Sequence, residues 1–158
     1  MAFELHARLA DMNVKHCVIE GDSLDLAFPR PWEHHLAERN LSAIWTNYRA
    51  LGYRRMIYTS TVSVRFTQEL AAAMGDEPRI TGVLLTATDV TASARLRGRI
   101  QGSDLQEHLA RSSAAARELE LLTPGWVHRS PTDNRSVKDI AASLLMLTGW
   151  SADPAAQG

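Results

Sequence analysis

The chain has 158 residues, a formal net charge of −1 at pH 7 and a content of 45% hydrophobic residues. This length and composition are typical of one globular domain, and the near-zero charge gives no indication of nucleic acid or of an anionic membrane. The single cysteine, Cys17, excludes an internal disulfide and a cysteine-rich zinc site. No apolar run is long enough to span a bilayer and no signal segment is visible, so we expect a cytoplasmic protein.

The hydrophobic pattern predicts helices and strands in alternation. Four strands are predicted, at about residues 15–20, 55–60, 80–86 and 126–129. Helices are predicted around and between them, at about residues 2–12, 33–51, 65–74, 89–99, 103–121 and 137–148. Thr88 or Asp89 is predicted to cap the fourth helix, and Ser103-x-x-Gln106 is a capping box that opens the fifth. Ser136-x-x-Asp139 is predicted to cap the last helix, and Gly149 to end it. Such alternation implies a mostly parallel sheet covered on both faces, which is a three-layer α/β/α fold. We expect one domain over residues 1–150 and a flexible tail over 151–158.

Three carboxylates follow the first predicted strand. Glu20, Asp22 and Asp25 come after the apolar run Cys17-Val18-Ile19, and Gly21 frees the backbone between them. In an open α/β sheet, ligands bind at the carboxyl ends of the strands. The segment therefore predicts a ligand site, and the alternative is a turn with a helix cap, because Asp and Ser are common caps.

The segment after the second predicted strand is rich in hydroxyl groups and ends in a cation. Thr61 is a candidate for hydrogen bonding to a substrate, and Arg65 is a candidate for binding an anionic one; alternatively, both belong to the strand end and an exposed helical turn. Arg95 and Arg99 lie four residues apart, so they share one helix face and are able to clamp phosphates by bidentate contacts. The alternative for this pair is a solvated basic face. No H-x-x-x-H or C-x-x-C spacing is present, and no metal site is predicted.

Three segments resemble, in their order along the chain, the small P-loop kinases, which include adenylylsulfate, gluconate, shikimate and nucleotide monophosphate kinases and chloramphenicol phosphotransferase. They are CVIEGDSLD (17–25), TATDVTASARLRGR (86–99) and RSPTDNRSV (129–137). The resemblance covers almost the whole chain. It implies ATP-dependent phosphoryl transfer to a small molecule or nucleotide, with ATP and Mg²⁺ expected for the intact protein.

The resemblance also implies roles for the candidate residues. Asp22 would orient or deprotonate the acceptor hydroxyl, with Asp25 or Glu20 as the second choice. Arg95 and Arg99 would hold the transferring phosphates, and Asp25, Thr61 and Arg65 would contact the acceptor. The loop beside the adenine would contain three further residues, which are Arg129, Pro131 and Thr132.

One part of the family pattern is missing. Members begin with a strand and the phosphate-binding loop G-x-x-x-x-G-K-S/T, whereas this sequence begins with the helix that would follow that loop. We expect an N-terminally truncated member that lacks the central strand, catalyses poorly and forms a homo-oligomer through its exposed sheet. The alternatives are a non-catalytic domain that binds a ligand or partner, and a protein that receives a complementary strand and loop from another chain.

Overall fold

The structure is a computed structural model that describes residues 1–29, 31–98 and 105–150. Its helices are α1 (Ala2–Asp11), α2 (Leu36–Ala50), α3 (Thr67–Met74), α4 (Asp89–Arg97), α5 (Leu105–Leu122) and α6 (Val137–Thr148). Its strands are β1 (Cys17–Glu20), β2 (Met56–Thr59), β3 (Val83–Thr86) and β4 (His128–Pro131). The predicted clamp residue Arg99, the predicted cap at 103 and the predicted tail at 151–158 lie outside the described residues.

The order of the elements is the predicted alternation, and the α/β class is confirmed. Several boundaries differ from the prediction: β3 begins at Val83 rather than at about residue 80, and α2 begins at Leu36 rather than at about residue 33. Strand β4 begins two residues later, because the Val127 N–H donates to the Pro124 carbonyl (3.1 Å) and closes a turn where the strand was expected to begin. Arg65 lies in a short 3-10 turn, Ser63–Arg65, and α3 begins only at Thr67. Among the described residues, no helix combines the length and the apolar character needed to cross a bilayer.

The strands form two separate parallel pairs rather than the single sheet that the alternation predicted. Strand β1 pairs with β2, with Cys17 opposite Met56 and Glu20 opposite Thr59. Strand β3 pairs with β4, with Thr86 opposite Pro131. No strand in the described ranges joins β2 to β3. The connections within each pair contain helices, as parallel pairing requires.

Helix α1 links the first strand pair to the C-terminal helix. It packs against both α6 and β1. Its fully buried Leu9 joins Val14 and Leu145 in one apolar cluster, and Ile57 of β2 packs against that cluster. The amphipathic spacing of α1 therefore fixes the β1–β2 pair relative to α6.

Local sequence signals set the ends of α6. Ser136 and Asp139 form a reciprocal capping box: the Ser136 Oγ accepts from the Asp139 N–H, and the Asp139 side chain accepts from the Ser136 N–H. Hydrogen bonds from the Ser136 side chain and N–H lower the pKa of the Asp139 carboxyl. Gly149 ends the helix in the left-handed conformation (φ 68°), which glycine adopts without a steric cost. Both signals were predicted from the sequence.

The capping box gives a direct test of the α6 boundary. Replacing Ser136 with Ala removes the cap and should lower the free energy of unfolding by about 1 kcal/mol. Urea unfolding measures this change, and Ser112→Ala, which alters an exposed position inside α5, is the matched control with a change below about 0.5 kcal/mol. Equal stability of the two variants would contradict the assigned cap.

Candidate functional site

The carboxyl ends of β1 and β2 meet at an acidic turn, which consists of Glu20, Asp22 and Asp25. A short 3-10 turn, Gly21–Ser23, follows β1 and places Asp22 beside the segment that follows β2. The Asp22 carboxylate accepts a hydrogen bond from the Thr61 N–H (3.3 Å) and another from the Thr61 hydroxyl (3.1 Å). The structure thus brings together Asp22 and Thr61, two residues that the sequence proposed independently.

A second contact across the same strand ends holds Glu20. Its carboxylate accepts from the Thr59 hydroxyl at 2.9 Å, as the register of Glu20 opposite Thr59 allows. Asp25 is half-buried and follows the turn, and the Asn40 amide of α2 donates to the Leu24 carbonyl (2.6 Å), which ties this loop to α2. The acidic turn is therefore anchored at three points.

Tyr58 lies close enough to these carboxylates for their charges to affect it. Its phenol ring lies against Gly21, where the Cβ of any other residue would collide with the ring. Burial is the largest cause that raises the Tyr58 pKa to about 12, and the negative charges of Asp22, Asp25, Glu38 and Glu20 add to it. The phenol consequently stays protonated and provides a hydroxyl donor within an acidic surface.

The carboxyl ends of β3 and β4 meet at a second polar cluster, formed by Thr88, Thr91 and Asp133. The Asp133 carboxylate accepts from the Thr88 N–H (3.1 Å) and from the Thr88 hydroxyl (2.7 Å). Hydrogen bonds from the Thr91 and Thr88 hydroxyls and from the Thr88 N–H lower the Asp133 pKa to about 2. Thr88 also caps α4 through Thr91, so this cluster fixes the start of the helix that carries Arg95.

Arg95 is directed at the loop after β4. Its guanidinium donates to the Thr132 hydroxyl (2.8 Å) and to the Thr132 carbonyl (3.0 Å). Thr132 is buried and donates its own hydroxyl to the Thr86 carbonyl (2.8 Å), while Pro131 is exposed at the end of β4. Three candidates from two parts of the sequence therefore meet here, although two N–H donors of Arg95 are used to hold the loop.

Two other predicted binding residues are engaged elsewhere. Arg129 donates to Glu120 and to three backbone carbonyls, at Thr123, Pro124 and Val127, at distances of 2.8 to 3.0 Å. It closes the turn between α5 and β4. Arg65 lies 3.6 Å from the Glu118 carboxylate of α5 and stacks on the Phe66 ring. Neither guanidinium contacts the acidic turn.

Two of the predicted phosphate- or nucleotide-binding arginines are engaged by the protein itself, and the described residues show no cluster of metal-ligating side chains. Arg95 and Arg129 direct guanidinium donors at backbone carbonyls. Within the described ranges, no group of three or more His, Cys, Asp or Glu side chains is placed to hold a metal ion. Among the described candidates, the Asp22 carboxylate is exposed and suited to accept hydrogen bonds from hydroxyl groups.

Sequence reasoning missed Tyr58, Glu38 and Asp133 as members of these clusters. Tyr58 lies a few residues before the hydroxyl-rich segment. The only local signal for its role was Gly21, which lets the Tyr58 ring approach the backbone closely. Asp133 lies in a segment that reads as a turn, and its partner Thr88 was predicted only as a helix cap. These pairings join residues 45 positions apart, from Thr88 to Asp133, and depend on strand register.

Comparison with family models, curated proteins and solved structures found no match to this chain. The resemblance to P-loop kinases therefore stays a prediction.

The charges around Tyr58 give a titration test of the acidic turn. In Asp22→Asn the tyrosine transition near pH 12 should move to lower pH, because one of the charges that opposes phenolate formation is removed. Ultraviolet absorption of tyrosinate measures this transition, and Tyr58→Phe assigns it. Asp11→Asn, which removes an exposed carboxylate at the end of α1, should leave it unchanged. If the transition does not shift in Asp22→Asn, the charge of Asp22 does not act on Tyr58, and this result would contradict the placement of the two side chains near each other.

Proposed function

We propose that this chain is the acceptor-binding part of a protein that transfers a phosphoryl group from ATP to a small hydroxylated molecule. The observation that carries the proposal is the Asp22 carboxylate, which is held by Thr61 at the shared carboxyl ends of two parallel strands. This is the edge at which open α/β sheets bind ligands. The order of motifs that resembles the P-loop kinases supports the same reaction class.

The geometry of Asp22 suits the orientation of an acceptor hydroxyl. A carboxylate has about four lone-pair positions, and the two bonds from Thr61 occupy one on each oxygen. The remaining positions belong to an exposed side chain and are open to a ligand O–H. Because Thr61 fixes the carboxylate from two directions, little side-chain freedom is lost when the ligand binds.

In the reaction, Asp22 would position the acceptor hydroxyl and act as a general base. Phosphoryl transfer depends mainly on alignment of the two reacting oxygens and on charge neutralisation. A carboxylate within hydrogen-bond distance of the acceptor hydroxyl holds it in line and receives its proton as the new bond forms. Tyr58 and Thr59 border the same carboxylates and would contact other polar groups of the acceptor.

The alternative function is ligand binding without turnover. It is favoured by two contacts: Arg95 donates to Thr132, and Arg129 donates to carbonyls of its own turn. Because both guanidinium groups are engaged in this way, other groups would have to neutralise the charge of the phosphates. Both functions place the ligand at the acidic turn. They differ in whether the phosphate-binding groups are supplied by another polypeptide segment.

Calorimetry of the chain with a panel of acceptors tests the proposed site. The panel contains gluconate, shikimate, chloramphenicol and nucleoside monophosphates. We expect saturable binding of one acceptor class, and Asp22→Asn should weaken it about tenfold or more, because a hydrogen bond to a charged group contributes about 1.5–3 kcal/mol. Asp11→Asn is the control with unchanged affinity.

The same titrations test the ligand site that the two functions share and can refute both. Binding that depends on Asp22, without phosphoryl transfer when Mg²⁺–ATP is added to the isolated chain, is the expected result. Micromolar affinity of the isolated chain for Mg²⁺–ATP would contradict the expectation that this chain lacks the phosphate-binding loop. Equal affinity of the wild type and Asp22→Asn, or no binding by any compound of the panel, would contradict the acceptor site.

A further inference from the structure

The Tyr58 hydroxyl lies beside the backbone of the acidic turn. The Cζ and Oη atoms of the phenol occupy the space in which a Cβ on Gly21 would lie. Because a Cα–Cβ bond is about 1.5 Å long, the hydroxyl oxygen lies within about 4 Å of the Gly21 Cα. Asp22 is the next residue, and its charge has the largest effect among those that act on Tyr58. The phenol oxygen is therefore close to the carboxylate of the proposed acceptor site.

This hydroxyl is an unused donor. Among the described residues, none is hydrogen-bonded to the Tyr58 hydroxyl. In the same ranges, every fully buried side-chain nitrogen or oxygen has a hydrogen-bond partner. The phenol oxygen therefore reaches the surface, although the residue as a whole is half-buried. A ligand that binds at the acidic turn has access to it.

The charges of the acidic turn keep the hydroxyl in its protonated form. Burial is the largest cause that raises the Tyr58 pKa to about 12, and four carboxylates add to it, which are Asp22, Asp25, Glu38 and Glu20. At neutral pH the phenol therefore donates a hydrogen bond to any ligand oxygen that comes within reach. Asp22 is exposed and accepts hydrogen bonds. A ligand thus meets a donor and an acceptor near each other.

The same charges limit which ligand groups fit beside Tyr58. Carboxylates that oppose the formation of a phenolate would also oppose a carboxylate or phosphate group of a ligand at this position. Arg65, the predicted partner of an anionic acceptor, lies 3.6 Å from the Glu118 carboxylate instead. The part of the ligand next to the reacting hydroxyl should therefore be uncharged.

We propose that Tyr58 is a specificity-determining residue, which selects uncharged polyols by donating a hydrogen bond to a second ligand oxygen near the hydroxyl that is bound by Asp22. The inference rests on the acceptor site proposed above and names the class of acceptor. A polyol supplies both groups within a few bonds: one hydroxyl donates to Asp22, and the oxygen of another accepts from Tyr58. A compound with a single hydroxyl would use Asp22 alone.

Calorimetry of the full chain tests this selection after the acceptor panel is extended by four uncharged polyols, which are glycerol, ribitol, sorbitol and myo-inositol. We expect saturable binding of at least one of them. Tyr58→Phe should weaken this binding about threefold to tenfold, because one hydrogen bond between uncharged groups is lost. The matched control is Tyr53→Phe, which makes the same change at a half-buried tyrosine just before β2 and should leave the affinity unchanged.

Gluconate tests the preference for an uncharged ligand. It differs from sorbitol by a carboxylate in place of one CH₂OH group. Because this carboxylate would lie among the carboxylates of the acidic turn, gluconate should bind at least about tenfold more weakly than the polyol that binds best.

The ligand side of the contact is tested in the unchanged protein. The polyol that binds best is replaced by its monodeoxy analogues, each of which lacks one hydroxyl. One analogue should bind the wild type as weakly as the parent polyol binds Tyr58→Phe, and Tyr58→Phe should not weaken that analogue further. NMR of ¹³C-labelled tyrosine Cζ in the wild type should show a shift of Tyr58 with the parent polyol and none with that analogue. This measurement decides the matter even if Tyr58→Phe alters the fold.

Three results would overturn the inference. They are no binding by any of the four polyols, equal affinity of the wild type and Tyr58→Phe, and gluconate binding as tightly as the best polyol. If Asp22→Asn still weakens the binding of an acceptor in such a case, the proposed acceptor site stands and only the role of Tyr58 fails. If Asp22→Asn has no effect either, the proposed function fails as well.

Discussion

The parallel register between β1 and β2 determines every contact at the acidic turn. Glu20 lies opposite Thr59 at the ends of the two strands. Asp22 and Thr61 each follow two residues later, and they are therefore placed side by side. A slip of one residue would exchange the two faces of the strand and would carry Tyr58 away from Gly21. The chemistry of the turn therefore depends on a short ladder of backbone hydrogen bonds, which the α1 cluster around Leu9 holds against α6.

The same arrangement is repeated in the second strand pair. Thr86 lies opposite Pro131, and the residues just beyond them, Thr88 and Asp133, are joined by hydrogen bonds. Each pair thus ends in a carboxylate that is held by a threonine of the neighbouring strand's loop. Asp22 remains exposed and open to a ligand, whereas Asp133 and Arg95 mainly hold loops together. This difference places the proposed acceptor site at the first pair.

Local features of the fold could be predicted from the sequence because they depend on neighbouring residues. The alternation of helices and strands, the capping box at Ser136 and the C-cap at Gly149 are examples, and all three are confirmed. The division into two strand pairs could not be predicted, because periodicity does not report which strands are neighbours. Arg129 was predicted to line a ligand site, but its partners are carbonyls of a turn whose geometry exists only in the folded chain. The role of a cation depends on such tertiary contacts.

Amide exchange of the chain alone tests most directly the claim that two separate parallel pairs carry these sites. By the register of each pair and the alternation of backbone groups along a strand, the N–H groups of Ile57 and Leu84 are directed at β1 and β4. Those of the next residues, Tyr58 and Leu85, are directed away from these partner strands. The account predicts slow exchange for the first two and exchange at least about tenfold faster for the second two. Equal protection of all four amides would show that β2 and β3 are already paired on both sides, and it would contradict the two separate pairs.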